Sequence, residues 1–193
     1  MIPHANNSNK NFIGAWYNKY SADICNDIIL KYKRTPQTLK HDYTQSELGN
    51  TRLNCKDIKS EDLIAITTGI IKPALESYFN LYPASTEVYP FDLLTTSMRI
   101  DHWAPGQGNN SWYHEKDGKL FHENKHLAFT LFLNDVNVEG EEEFLHQEVS
   151  FKPQAGLIVI WPTAWTHSHR TQIAPNDDKY TLSGYVTFED ERK

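Results

Sequence analysis

The sequence predicts an α+β fold, in which helices near the N-terminus precede an antiparallel sandwich or jelly roll. Apolar residues recur at helical spacing up to about residue 83, and strand-like alternation takes over from about residue 87. No helical pattern interrupts the strand-like segments, which excludes a parallel sheet built from βαβ units. Residues 152–188 add a third observation, because three apolar or alternating segments there enclose a cluster of histidines.

Length and composition predict one domain over residues 1–193, with a helical part at about 12–83 and a strand-rich core at about 87–188. The net charge of −6 argues against nucleic acid or an anionic membrane as a partner. No apolar run approaches the roughly eighteen residues of a membrane span, and the first residues lack an apolar segment. We therefore expect a cytoplasmic protein without a signal peptide or transmembrane helix, in which Cys25 and Cys55 are free thiols.

Two helices are predicted in the first half of the chain. Ser21 has the character of an N-cap for a helix at about 21–33. Ser60 begins a second helix that ends before Pro83, and Pro73 inside it is expected to cause a kink or a break. The apolar stripes of both helices are interpreted as packing surfaces without a chemical role.

The strands of the second half carry the strongest apolar signal. His126–Asn134 is almost continuously apolar, and Leu157–Trp161 has the β-branched composition of a strand that is buried on both faces. Tyr180–Phe188 alternates, as a strand with two different faces does. His167 and His169 fall on one face if the segment that contains them is extended.

Three polar residues of this half predict a metal-dependent site. His114 lies in a polar turn after the first strand, His169 lies 55 residues later, and Lys179 follows ten residues beyond that. Two imidazoles and a carboxylate on one face of a metal are the ligands of non-haem Fe(II) oxygenases, which leave positions open for substrate and O2. A nearby cation can hold a dicarboxylate co-substrate.

The stretches AFTLFLNDVNVEGEEEF, KPQAGLIVIWPTAWTHSHR and KYTLSGYV resemble the Fe(II)/2-oxoglutarate-dependent dioxygenases of the prolyl 4-hydroxylase-like family. The ten-residue spacing of His169 and Lys179 matches the distal iron-binding histidine and the 2-oxoglutarate-binding lysine of that family. The resemblance covers residues 90–188 well and implies a double-stranded β-helix, or jelly roll, with N-terminal helices packed on one face. It also implies Fe(II) as cofactor and 2-oxoglutarate as co-substrate.

The family's proximal motif is His-x-Asp or His-x-Glu, and two alignments of this chain with it remain open. A direct alignment puts Tyr113, His114 and Glu115 on the three positions. A shift by one residue makes His114 a ligand but puts Lys116 on the carboxylate position, so a turn at Asp117 would have to supply the carboxylate. We expect His114 and Asp117 to join the distal histidine in binding Fe(II), with Glu115 as the alternative carboxylate.

The resemblance further implies that Lys179 and Trp103 bind 2-oxoglutarate. Trp103 stands where the family commonly has tyrosine, and its indole N–H can still donate a hydrogen bond. Glu142 falls on a threonine position that often helps to hold the co-substrate. A carboxylate that faces a dicarboxylate is repulsive, so Glu142 is expected to point elsewhere or to change the co-substrate pose.

The function implied by the resemblance is hydroxylation of a peptidyl proline or another amino-acid side chain, with release of succinate and CO2. The partners would then be O2 and a small-molecule or peptide substrate. Two alternatives remain open. A jelly roll that has lost its iron would be a binding module, which the residues Tyr113 and Glu142 favour. A cupin-like metalloenzyme that uses His167 and His169 together would not consume 2-oxoglutarate.

Overall fold

The computed structural model describes residues 2–3, 11–18, 21–43, 49–55, 60–87, 91–93, 98–116 and 124–188. The helices are α1 (Ala22–Arg34), α2 (Ser60–Ile66) and α3 (Lys72–Leu81). The strands, in chain order, are β1 (Ile2–Pro3), β2 (Gly14–Tyr17), β3 (His41–Asp42), β4 (Thr51–Asn54), β5 (Phe91–Leu93), β6 (Arg99–Trp103), β7 (Asn109–Tyr113), β8 (Lys125–Phe132), β9 (Glu142–Phe144), β10 (Val149–Phe151), β11 (Leu157–Pro162), β12 (His169–Thr171) and β13 (Lys179–Phe188).

Both predicted helices are present. The bounds of α1 agree with the prediction, although the hydroxyl of Ser21 donates to the Asn18 carbonyl (2.5 Å) and does not cap the helix. A π-helical turn, Thr67–Ile71, joins α2 to α3. Pro73 lies in the first turn of α3, where a missing N–H is tolerated, so the irregularity comes before the proline and not at it.

The described strands form two antiparallel sheets, which confirms the predicted jelly roll. The major sheet has the order β1-β2-β11-β8-β13-β6-β4-β3, with β5 paired to β13, and the minor sheet has the order β10-β9-β12-β7. The N-terminal strand β2 lies directly beside β11, with Gly14 opposite Ile160. The chain must therefore return to its own start to complete the major sheet.

Two apolar clusters fill the spaces between these layers. The larger one packs the helices on the major sheet and includes Ile28, Tyr32, Ile70, Tyr78, Ile100, Leu131, Ile160 and Leu182. The smaller one lies between the two sheets and includes Ile13, Ala15, Ala128, Phe132, Phe144, Phe151, Val159 and Trp161. β11 contributes side chains to both clusters, as expected for a strand that is buried on both faces.

The structure corrects one local prediction. His167 belongs to a short 3₁₀ turn, Trp165–His167, and the strand begins only at His169. The two histidines therefore do not alternate along one extended segment. The reason is the turn at the end of β11, where Pro162 cannot continue a ladder as a donor.

Two further findings concern the expectations drawn from composition. None of the helices in the described ranges is long and apolar enough to cross a membrane. Cys25 and Cys55 are both buried and unbridged, as predicted.

Candidate active site

The candidate site lies at one end of the space between the two sheets, around the fully buried His169. Three aromatic rings surround its imidazole, with centroid distances of 4.3 Å to Tyr113, 4.9 Å to Trp161 and 5.5 Å to Phe144. Both Tyr113 and Phe144 lie directly opposite His169 on neighbouring strands. The position of the ring is therefore fixed by sheet register and by packing.

One nitrogen of His169 is engaged and the other is not. Nδ1 lies 2.9 Å from the carbonyl oxygen of His167, so it carries the proton that this contact requires. Nε2 is buried without a hydrogen-bond partner in the described structure. It faces Oε1 of Glu115 at 3.7 Å and Oε1 of Glu142 at 3.8 Å.

The charges around Nε2 explain its protonation behaviour. Burial alone would lower the pKa of His169, but the Glu115 and Glu142 carboxylates outweigh burial and raise it. A lone pair that faces two carboxylates is unfavourable unless a positive charge lies between them. A proton or a metal cation at Nε2 would therefore stabilise this arrangement of charges.

Glu115 is held as an ionised carboxylate. The hydroxyl of Tyr185 donates to its Oε2, and Nζ of Lys125 lies 3.8 Å from the same oxygen. Burial would raise the pKa of Glu115, but His169, Arg99 and Tyr185 together hold it well below its ordinary value. Lys125 also donates to the Glu115 carbonyl oxygen at 3.2 Å, which anchors the backbone beneath this side chain.

Glu142 points into the site, contrary to the simpler of the two expectations from the sequence. Its side chain is buried, and its Oε2 accepts a hydrogen bond from Oγ1 of Thr171 at 2.8 Å. Burial raises the pKa of Glu142 above its usual range, while His169, Thr171 and Lys179 act in the opposite direction. Glu142 therefore lies in the field of both His169 and Lys179.

Lys179 is fully buried at the start of β13. Its ammonium donates to the carbonyl oxygens of Gln172 (2.6 Å) and Gly140 (3.3 Å) and lies 5.0 Å from the ring centroid of Trp103. Burial lowers the pKa of Lys179 to about 8, although the Glu142 and Glu141 carboxylates work against this. Lys179 and Trp103 are also register partners, so these two predicted residues do come together.

The remaining sequence predictions for the site concern the proximal metal ligands. The side chain of His114 makes no hydrogen bond, ion pair or ring contact with another described residue. Asp117 lies outside the described residues. Glu115, the alternative carboxylate, lies beside His169, with Oε1 3.7 Å from Nε2.

The cupin-like alternative required His167 and His169 to share a metal. His167 is buried, and Nε2 lies 2.8 Å from the Asn11 carbonyl oxygen while Nδ1 lies 3.0 Å from Oγ1 of Thr166. Both nitrogens of His167 are thus engaged away from the free nitrogen of His169, so the structure does not bring the two imidazoles together as ligands.

Sequence reasoning did not assign roles to Tyr185, Lys125 and Arg99. Nη1 of Arg99 donates to the Tyr185 hydroxyl at 3.2 Å, and Lys125 lies 3.9 Å from the Tyr185 ring centroid. The alternation of Tyr180–Phe188 places Tyr185 on the face opposite Leu182. Alternation alone does not tell which of the two faces borders the site, because that depends on the order of the strands in the sheet.

No family model matches the sequence, and no curated protein matches it. Among solved structures, the viral collagen prolyl hydroxylase of Paramecium Bursaria Chlorella virus-1 in complex with 2OG superposes with a TM-score of 0.67 at 11% identity, covering 95% of this chain and 100% of that chain. The chain has the fold of the prolyl hydroxylases.

Two other solved structures agree. A Trichoplax adhaerens prolyl hydroxylase, in complex with a peptide fragment of the hypoxia inducible factor oxygen degradation domain, gives a TM-score of 0.69 at 12% identity and covers 97% of this chain and 88% of that one. An oxidoreductase of the 2OG-Fe(II) oxygenase family from Burkholderia pseudomallei gives 0.67 at 10% identity, with coverages of 95% and 90%. The predicted likeness to prolyl 4-hydroxylase-like proteins is confirmed at the level of the fold.

The prolyl hydroxylase fold implies an iron site, and the residues present can be tested against one. In the described part of the chain, no three His, Cys, Asp or Glu side chains form a group that could hold a metal ion. Two side chains nevertheless have the donor atoms that an iron site needs. His169 offers a buried acceptor nitrogen without a partner, held by a hydrogen bond at its other nitrogen, and Glu115 offers an ionised carboxylate.

Proposed function

We propose that this protein is an Fe(II)- and 2-oxoglutarate-dependent dioxygenase that hydroxylates a prolyl or another amino-acid side chain. The observation that carries the proposal is the free Nε2 of His169, buried and facing the Glu115 carboxylate in a prolyl hydroxylase fold. The neighbours of similar fold bind 2OG in one case and a peptide in another, and these ligands support a peptide or small-molecule substrate here.

In this proposal His169 and Glu115 hold the iron. Bound iron supplies the activation of O2 that couples oxidative decarboxylation of 2-oxoglutarate to hydroxylation of the substrate. The chain contributes ligand orientation. The His167 carbonyl fixes the tautomer of His169, and the hydroxyl of Tyr185 fixes the rotation of the Glu115 carboxylate.

Lys179 is the proposed anchor for the distal carboxylate of 2-oxoglutarate. An ammonium has three donors, and the Gln172 and Gly140 carbonyls accept two hydrogen bonds from this one. Lys179 is fully buried, so a charge-assisted hydrogen bond from it is stronger than one on the surface. Glu142 lies nearby, and its raised pKa reduces the repulsion because a protonated carboxyl carries no charge.

A binding module is the second candidate, and two observations favour it. Tyr113, which the direct alignment places where the family has a histidine, lies opposite His169, and the Glu142 carboxylate acts electrostatically on Lys179. In such a module the fold would be retained and the chemistry lost.

The test is succinate formation by metal-free protein that is reconstituted anaerobically with Fe(II), supplied with 2-oxoglutarate, and then exposed to O2. Proline-containing peptides and free amino acids serve as candidate substrates. His169→Ala should form no succinate, whereas His146→Ala, a change at an exposed turn histidine, should behave as wild type. Wild-type protein that neither binds Fe(II) nor forms succinate would establish the binding module.

A further inference from the structure

Resting on the proposed function, we infer that Tyr113 is the third protein ligand of the metal, so that its phenolate oxygen completes a set with Glu115 and His169. This set differs from the His-x-Asp…His pattern of the resembled family, in which the first position is an imidazole. It assigns a chemical role to the residue that the direct alignment places on that position.

Sheet register brings Tyr113 to the site. β7 and β12 pair so that Tyr113 lies directly opposite His169, and residues opposite each other in an antiparallel pair project from the same face. The two ring centroids are 4.3 Å apart, with the planes inclined by 57°. Glu115 lies two residues further along, and its carboxylate reaches to 3.7 Å from Nε2 of His169. Tyr113 and Glu115 thus flank one imidazole.

The metal-binding atoms available in the described structure also support Tyr113 as a ligand. No group of three His, Cys, Asp or Glu side chains in the described ranges could hold a metal, and a site with open positions needs three protein ligands. Glu142 also lies 3.8 Å from Nε2 of His169, but its other oxygen is engaged by Oγ1 of Thr171. Phenolate oxygen is a known iron ligand, as in the haem site of catalase. Tyr113, whose ring lies against His169, carries such an oxygen.

Two carboxylates beside the facing imidazole attract a cation to this place, since Glu115 and Glu142 lie 3.7 and 3.8 Å from Nε2 of His169. A metal ion that binds the phenol takes the place of its proton. On binding, the phenolic O–H bond breaks, the proton passes to solvent, and an oxygen lone pair forms the bond to the metal.

This ligand set has a spectroscopic signature that is independent of turnover. Phenolate bound to ferric iron has a charge-transfer band in the visible region, whereas imidazole and carboxylate ligands give none of comparable strength. Because the metal is supplied as ferric nitrilotriacetate, no oxidant is needed and no electron is transferred. The absorbance is expressed per iron bound, so that partial loss of metal does not mimic loss of the phenolate.

Wild-type protein should show the band, and Tyr113→Phe should lose it. Tyr113→His, which installs the family's ligand, should bind Fe(II) or Mn(II) but remain colourless with ferric iron. Tyr180→Phe is the matched control and should keep the band, because Tyr180 lies in the cluster on the helix side of β13. Tyr113 is 37% exposed, so neither of its variants should unfold the protein, and circular dichroism melts check this.

Iron-loaded wild type without the band, or Tyr113→Phe with the band intact, would overturn the inference. If such colourless wild type still binds Fe(II) and forms succinate, the proposed function survives and only the phenolate ligand is rejected. Loss of metal binding in Asp117→Asn, with Tyr113→Phe unaffected, would identify Asp117 as the third ligand instead. Wild type that binds no metal at all would reject both proposals.

Discussion

The hydroxyl of Tyr185 donates a hydrogen bond to the carboxylate of Glu115, a residue 70 positions earlier in the chain. Arg99 donates to the same hydroxyl at 3.2 Å and is itself held by Asp101, whose Oδ2 lies 3.2 Å from its Nε. A continuous line of hydrogen bonds therefore runs from the major sheet to the carboxylate beside His169. This line fixes the carboxylate in the orientation in which its other oxygen faces the imidazole.

Tyr185→Phe should weaken Mn(II) binding about 10- to 100-fold, the usual effect of removing a hydrogen bond that orients a metal ligand. The ring and its packing remain, so the melting temperature should change little. Isothermal calorimetry with Mn(II) measures the effect, and Tyr180→Phe provides the control. Equal affinities for Tyr185→Phe and wild type would show that the hydroxyl does not orient a ligand.

Glu115→Ala should impair Mn(II) binding more than Asp117→Ala does. The reason is proximity, because the Glu115 carboxylate lies 3.7 Å from Nε2 of His169 and is held ionised. Electron paramagnetic resonance of free Mn(II) during titration separates the two variants. The opposite ranking would transfer the carboxylate role to Asp117 and restore the sequence-based preference.

Lys179→Ala should raise the apparent constant for 2-oxoglutarate by roughly ten- to a hundredfold. A charge-assisted hydrogen bond to the co-substrate is worth about 1.5–3 kcal/mol, and each 1.4 kcal/mol is a factor of ten. Lys179→Arg should recover part of the loss, since the planar guanidinium does not match a pocket shaped for an ammonium. Mn(II) affinity should stay unchanged in both variants, because Lys179 is not a ligand. Identical 2-oxoglutarate curves for Lys179→Ala and wild type would remove Lys179 from the site.

The affinity for 2-oxoglutarate should fall as the pH rises through about 8. The buried Lys179 has a pKa of about 8, so its ammonium is present below that pH and is lost above it. Above pH 8 the dissociation constant should rise by about tenfold for each further pH unit. Lys179→Arg keeps its charge over this range and should show a flat profile between pH 7 and 10. A flat wild-type profile would exclude this ammonium as the anchor.

Glu142→Thr should tighten 2-oxoglutarate binding, by about tenfold if one unfavourable contact of 1.4 kcal/mol is relieved. The change removes a buried carboxylate from the field of Lys179 and installs the residue that the family has at this position. Glu143→Thr is the matched control, because Glu143 is bound by Arg170 and Gln172 on the other face of β9. Weaker binding in Glu142→Thr would mean that Glu142 itself helps to hold the ligand.

The sequence predicted the fold and part of the candidate site for identifiable reasons. The spacing of apolar residues along the chain is a local property. We could therefore recognise α1, β11 and β13 from the sequence without knowledge of the tertiary structure. The ten-residue interval between His169 and Lys179 is also local, because a short connection joins β12 to β13. Trp103 came from the resemblance, and the structure places it beside Lys179.

The choice between alignments of the proximal motif depended on long-range register and could not be made from spacing. Only the pairing of β7 with β12 shows that Tyr113 and Glu115 face His169. The same holds for Tyr185, Lys125 and Arg99, which lie on different strands of the major sheet and meet at Glu115 through the sheet order β8-β13-β6. His114 as a ligand stays a prediction.

The pairing of β2 with β11 affects how the newly made polypeptide folds. Because Gly14 pairs with Ile160, the N-terminal strand cannot take its place until most of the chain has been made, and such distant pairing slows folding. Until then the apolar β11, Leu157–Pro162, presents an open edge of unpaired N–H and C=O groups. An edge of this kind recruits strands from other molecules. Loss of the first 17 residues should therefore produce aggregation, even though none of them is a proposed ligand.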